Sequence, residues 1–431
     1  MSEQTQDVAS QTEVPIPGAI PQSDPQATTP AAKPPFNKKI LIGIVLLLII
    51  VVFIVGFVFL SGNSKSAKVD SLSGRAHTAI LKGDYKEARK ELSEALQIDK
   101  DDPVLLSQMI NSYALESNQT GDIAIPFKSA EPYINEALNT NPDNIDVLIA
   151  VGYAYETQGD IDKAKTYYVK ATEIDSQSAD AWFHLGHALQ FQGKDEDAKK
   201  NFDKAYALDP NHPQILMVRG NMFFSEGKNQ EAYESFKKAS EDSSLDYQSR
   251  AEALVGASIA RVNQEDFKYI DEAVELSKEA VALSPKFSPA LAAYGYNLYL
   301  AGKQRTGFDY VVKATEANER ISRNYFLLSM IYRNAKDYTY AIAAGKEAVE
   351  HVDDDNTILS KENRMSQKAL YKYELAKTYS LSGLNVDTTE LLLEAIELNP
   401  AFTERIKENY EKGTFFQKNI SNTKFQSIIS V

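Results

Sequence analysis

Small and bulky apolar residues return along the middle of the chain with a constant step of 34 residues. Gly152, Gly186 and Gly220 keep this step, as do Gly159, Gly193 and Gly227, then Ala164, Ala198 and Ala232, and then Ala171, Ala205 and Ala239. Two bulky columns follow it as well, Tyr155, Leu189 and Phe223, and Tyr168, Phe202 and Phe236. Six columns held over three units mark a repeat, and each column makes mechanical sense as part of a helical hairpin. The first Gly and the first Ala fall where two antiparallel helices touch, so a larger side chain there would push them apart. The second Gly ends the first helix in a left-handed turn. The bulky residues fill the space between neighbours. A proline such as Pro142, Pro210, Pro285 or Pro400 stops the second helix before the next unit. A hairpin of this kind cannot bury its apolar face alone, and stacking completes the core.

About nine units can be traced, near 69–102, 103–144, 145–178, 179–212, 213–246, 247–287, 288–321, 322–360 and 369–402. The first is irregular, with Arg75 in an apolar column. Extra residues around Asn118–Lys128, a stretch around Asn263–Lys268 and a loop near Asp353–Glu362 are expected at the surface, since the helical columns resume on either side. Residues 403–431, with Phe415, Phe416 and Phe425, read as a capping helix and tail, because the open end of a stack needs a cover.

The N-terminal part has a different pattern. Residues 40–60, ILIGIVLLLIIVVFIVGFVFL, are 21 uncharged, almost wholly apolar positions. A helix of that length matches a hydrocarbon core of about 30 Å and has no polar face to turn to water. The segment begins too far along the chain for a cleavable signal and is too long for one, so it reads as a permanent transmembrane helix. Residues 1–39 are rich in Pro, Gln and Ser and are expected to be disordered; residues 61–68 would link the span to the repeats. Lys38 and Lys39 abut the span on its N-terminal side, which places the N-terminus in the cytoplasm and the repeat domain outside it.

The unit from Ala179 to His212 carries Trp182, Leu185, Gly186, Leu189, Gly193, Ala198, Phe202, Ala205 and Pro210. With this set the chain resembles the tetratricopeptide-repeat (TPR) family. The resemblance implies an all-α, right-handed α-solenoid of about nine TPR hairpins, here preceded by one transmembrane helix. It also implies that the first helix of each unit lines a concave, partner-binding groove. Carried over by register, the groove positions are Tyr153 and Glu156; Phe183, His187 and Phe191; Met217, Asn221 and Phe224; Tyr296 and Tyr299; and Phe326, Met330 and Arg333. Aromatic and Met side chains at such positions make adaptable anchors for a peptide or helix. Some family members grip acidic C-termini through a clamp of Lys, Asn and Arg. Asn221 fits its Asn column, but Met217 stands where that clamp has Lys.

Composition narrows the chemistry. With no Cys, the chain has no disulfide, thiolate metal site or cysteine nucleophile, and its net charge of −14 opposes binding to nucleic acid. His184 and His187 lie on one helix without an evident third ligand, so no metal is expected. The acidic run Asp353, Asp354 and Asp355 lacks the Gly and terminal Glu of a calcium loop and reads as a solvated connection. No phosphate loop, nucleophile elbow or zinc-protease motif is present. The sequence therefore points to a cofactor-free, non-enzymatic scaffold. It would be anchored in a lipid bilayer through residues 40–60 and bind proteins or peptides in its groove, organising an envelope complex. The alternative is a chaperone-like or targeting receptor that docks incoming polypeptides, as in the mitochondrial outer-membrane import receptors of this family, which share the order of anchor then repeats.

Overall fold

The computed structural model describes residues 65–120, 124–264, 267–355, 361–419 and 421–430, all within one compact unit, Ser64–Val431. The expected tail and transmembrane helix lie outside the described residues. Among the described residues, no helix is long and apolar enough to cross a membrane.

The described residues contain twenty α-helices and no strand. The first, α1, runs through 65–81 and already includes the residues assigned to the end of the linker. It pairs with α2 (Tyr85–Leu96). Eight further hairpins follow: α3 (Pro103–Thr120) with α4 (Ala124–Thr140), α5 (Ile145–Gln158) with α6 (Ile161–Ile174), α7 (Ala179–Phe191) with α8 (Asp195–Leu208), and α9 (Pro213–Ser225) with α10 (Asn229–Ser240). Then come α11 (Tyr247–Val262) with α12 (Ile270–Leu283), α13 (Ser288–Leu300) with α14 (Gln304–Ala317), α15 (Ser322–Asn334) with α16 (Tyr338–Glu350), and α17 (Lys361–Ser382) with α18 (Asn385–Leu398). Each hairpin packs on the next, giving a helical-repeat solenoid.

The repeat columns behave as their chemistry requires. Ala164, Ala198 and Ala232, with Ala171, Ala205 and Ala239, are buried between helices. A Cβ on Gly220 would lie 2.7 Å from the Phe236 ring, and one on Gly186 would lie 2.9 Å from Phe202. The aromatic of each second helix thus occupies the space the glycine leaves. Gly159 closes α5 at φ +90°, a conformation that costs a side-chain-bearing residue about 1 kcal/mol or more. Asn144, Asp160, Ser178, Asp246 and Asp337 cap the helices that follow them with their own side chains.

Two of the expected surface loops are corrected. The extra residues of the second unit do not form a long loop: α3 extends to Thr120 and α4 starts at Ala124, so most of the insertion lengthens helices. Ser117 is buried, and the Asn118 side chain donates to the Tyr153 hydroxyl (2.7 Å), so this extension packs against the neighbouring unit. The acidic run is solvated only in part. Asp353 and Asp354 are exposed, whereas Asp355 is buried against the start of α15.

Beyond α18, α19 (Phe402–Glu411), a 3₁₀ turn (Gln417–Asn419) and α20 (Thr423–Ile429) cover the last hairpin. Phe402, Ile406, Phe416, Phe425 and Ile428 form one core with Tyr373, Ala376, Leu392 and Ala395. The cap is thus two short helices, not one.

Candidate binding groove

Ten of the thirteen register positions gather into two clusters, one at α5–α7 and one at α13–α17, and the other three lie on α9 between them. In the first, the Glu156 carboxylate is buried and joins three helices: its Oε1 accepts from His187 Nδ1 (2.9 Å) on α7, and its Oε2 from the Tyr168 hydroxyl (3.1 Å) on α6. Burial raises the carboxyl's pKa, but the charge and hydrogen bond of His187, helped by His184 and Tyr168, outweigh it and hold Glu156 below the usual carboxylate range. His187 shows the converse: burial lowers it, and Glu156 more than restores it, leaving the imidazole above its ordinary value. His184 is enclosed by the rings of Tyr153, Tyr168 and Phe183, and burial pushes it down to about 4. It is a neutral, aromatic-packed ring at pH 7. Phe183 is buried between His184 and Phe202, so it belongs to the packing between helices, while Phe191 meets His187 edge-on at 4.9 Å and stays half-exposed.

Further along, Met217 and Phe224 are half-buried against the cores of α9–α11, and Asn221 is exposed. In the second cluster Tyr296, Tyr299 and Phe326 pack on one core, with Met330 half-buried beside them on α15. Phe326 stacks on Tyr371 of α17 (4.6 Å, 20°). Arg333 donates to the Glu374 carboxylate (2.8 Å) and to its backbone carbonyl (3.1 Å). Lys377, one turn on, binds the other oxygen of Glu374 (2.9 Å).

Sequence reasoning missed Tyr168, Glu374, Lys377 and Asn118. Lys377 holds the same repeat position as Tyr153, His187, Asn221, Tyr296 and Met330, so the register extended past the Asp353–Glu362 loop would have found it. Nothing in the pattern announces Tyr168 as a polar partner, because its column is an aromatic packing column. An open cleft of about 440 Å³ lies on the second helices, between Lys237 and Glu275, apart from both clusters. Among the described residues no three His, Asp or Glu side chains are grouped to hold a metal ion.

Family models agree with the architecture. Tetratricopeptide-repeat models match residues 69–102 and 179–212, and a TPR-repeat model matches 152–193. The chain therefore contains tetratricopeptide repeats. No curated protein sequence matches it. Among solved structures it is similar to a chain of the APC/C hetero-tetramer Cut9-Hcn1, with 16% identity and a TM-score of 0.54. That match covers 72% of this chain but only 56% of the other, just over half its length. It is also similar to human IFIT1, in the dimer with m7Gppp-AAAA, with 15% identity, a TM-score of 0.53, and coverage of 82% of this chain and 83% of that one. At these identities the likeness is one of fold.

Proposed function

We propose that this chain is a membrane-anchored scaffold whose first helices bind partner proteins or peptides, with residues 40–60 as the anchor and the repeats outside the cytoplasm, organising an envelope complex. The observation that carries the proposal is one repeat position. On six first helices it is occupied by Tyr153, His187, Asn221, Tyr296, Met330 and Lys377, none of them fully buried, whereas on α11 it is the buried Ala257; the residue just before it is small and buried, as at Gly152, Gly186 and Gly220. A stack that varies its accessible column and keeps its packing column fixed is built to present chemistry along a surface. Aromatic, Met and charged groups there suit protein recognition, and a net charge of −14 disfavours a long polyanion. Binding rather than catalysis is the activity proposed. The test is site-specific photo-crosslinking of the full chain in its native membrane. Crosslinks to a discrete partner are expected from Asn221 and Met330 but not from Lys199 on a second helix; crosslinks from Lys199 alone, or from none of the three, would overturn the scaffold. Protease protection in intact cells checks the side of the membrane independently.

A further inference from the structure

Two clefts on the face formed by the second helices carry the same chemistry at the same repeat positions. One, of about 440 Å³, lies between α10 and α12, and the other, of about 300 Å³, lies between α16 and α18. Along the first, α12 places Glu272, Glu275, Leu276 and Glu279; along the second, α18 places Asp387, Glu390, Leu391 and Glu394, at the same four steps from its own first residue. The facing walls agree too, since Lys237 of α10 and Lys346 of α16 stand at one repeat position. This set is not a property of second helices in general: at those steps α14 has Thr306, Asp309, Tyr310 and Lys313. Nor does packing demand it. Five of the six acids are exposed, Glu272 being half-buried, and a stacked repeat leaves exposed positions free to differ. Below this rim the surface is apolar. In the α16–α18 cleft Leu375 and Tyr379 of α17 are buried at the base, with Val349 and Leu391 half-buried on the walls. Glu350 joins the three acids of α18 there, so four carboxylates face one lysine; in the α10–α12 cleft three carboxylates face two lysines, Lys237 and Lys278. Internal pairs use only some of these acids: Glu272 is held by Arg261, Glu275 by Lys278 and Glu394 by Lys372. Glu279, Glu350, Asp387 and Glu390 have no ion-pair or hydrogen-bond partner among the described residues.

We propose that each of these clefts takes a basic helical segment of a partner protein, with lysines or arginines one and two turns apart and an aliphatic residue between them. The three acids of each rim are spaced i, i+3, i+7, so they share one line down α12 and down α18, and a helix laid alongside meets them with the same spacing. Its cations form the ion pairs that Glu279, Asp387 and Glu390 lack. Its aliphatic side chain covers Leu391 and the apolar base of the cleft. The α16–α18 cleft, with the larger excess of carboxylate and the apolar base, is the tighter of the two. The same acids repel an anionic bilayer or a nucleic acid strand. This surface belongs to the second helices and not to the groove proposed above, and its assignment does not depend on that groove.

The test is titration of the full-length chain with a fluorescein-labelled helical peptide of Lys, Leu and Ala built to that spacing. The controls are the same peptide with Gln in place of Lys, and with Ala in place of Leu. Two equivalents are expected to bind per chain, about tenfold more tightly than the Gln peptide and severalfold more tightly than the Ala peptide, with affinity falling as salt rises. Glu350→Gln with Glu390→Gln is expected to remove the tighter equivalent, and Glu275→Gln with Glu279→Gln the weaker. The circular dichroism melt should stay unchanged in both, since all four side chains are exposed. Asp309→Gln with Glu316→Gln removes as much charge from the intervening α14 and is expected to affect neither equivalent. A photo-reactive residue in place of Lys346 is expected to crosslink the peptide, and one in place of Met330 is not. Equal binding of the Gln peptide, two equivalents retained in both cleft variants, or crosslinks from Met330 and not from Lys346 would overturn the proposal. So would an equal loss in the α14 variant, which would mark a general attraction to an acidic chain. Partner crosslinks from Asn221 and Met330 in the native membrane decide the groove separately from any of these results.

Discussion

The Asp355 carboxylate accepts hydrogen bonds from both the backbone N–H (2.9 Å) and the hydroxyl (2.7 Å) of Ser322, thirty-three residues earlier in the chain. Helix α15 has no side-chain cap of its own at Ile321, so its first turn is satisfied from the loop that leads to the next hairpin. Asp355→Ala removes this acceptor and leaves a buried N–H and hydroxyl without it. The expected cost is about 1–3 kcal/mol, seen as faster amide hydrogen exchange in α15 with little change in α5–α7. Equal protection of α15 in the variant would show that the carboxylate is not its cap.

That capping contact also marks where the sequence could be read and where it could not. Close-packing glycines and alanines are legible because a repeated steric demand leaves a repeated residue. Gly152, Gly186 and Gly220 each face the aromatic residue sixteen positions later, and the 34-residue step gives both columns away. Contacts made once leave no column. Asp355 looks like its two exposed neighbours, and its burial depends on where a loop folds back. The added residues after Asn118 read as a loop because no second unit shows them as helix. Glu156 was assigned to the groove by register, and register gives the face of a helix but not the depth at which a side chain ends. Its burial follows from Tyr168 and His187 closing over it.

Gly220→Ala places a methyl about 2.7 Å from the Phe236 ring, too close for any carbon contact, and Phe236 is itself held by Gly256 on the other side. With the ring almost fully buried between Gly220 and Gly256, overpacking is expected to cost about 1–3 kcal/mol. Phe236→Leu alone leaves a cavity and also destabilises the protein. The two changes together are expected to cost clearly less than their sum, because the smaller side chain makes room for the methyl. Chemical denaturation of the four proteins checks this, and strict additivity would mean the two residues do not share that space.

The histidines on α7 titrate in opposite directions. His184 is held neutral, at about 4 against an ordinary 6.5, so its contribution is present above pH 6.5 and is lost as pH falls toward 4. His187 is raised, so its contribution is fully present below 6.5 and is lost as pH rises through its folded value. Between pH 6.5 and 4 the α5–α7 region is therefore expected to loosen because of His184 while the His187–Glu156 pair holds. His184→Phe keeps a ring among Tyr153, Tyr168 and Phe183 and is expected to flatten this acid dependence in hydrogen exchange or denaturation measured from pH 7 to 4. An unchanged acid limb in His184→Phe would assign the sensitivity to another group.

Glu156→Gln tests the three-helix junction itself. The amide keeps the shape of the side chain and one acceptor, but removes the charge that raises His187 and one of the two charge-assisted bonds. Because His187 can give up its proton, the variant is not left with a stranded buried cation. The expected loss is thus about 1.5–3 kcal/mol, the worth of a hydrogen bond to a charged group, rather than the about 3–5 kcal/mol of a broken buried ion pair. The decisive readout is the imidazole. In an NMR titration the His187 signal should move down toward or below the ordinary value, since burial, which lowers it, is no longer opposed by the carboxylate. Stacked repeats open locally, so exchange of amides in α5, α6 and α7 is the appropriate stability measure, and those of α15 serve as the internal reference. A variant whose His187 titrates as before, with α5–α7 no less protected, would show that the bond between Glu156 and His187 is not what joins these two repeats.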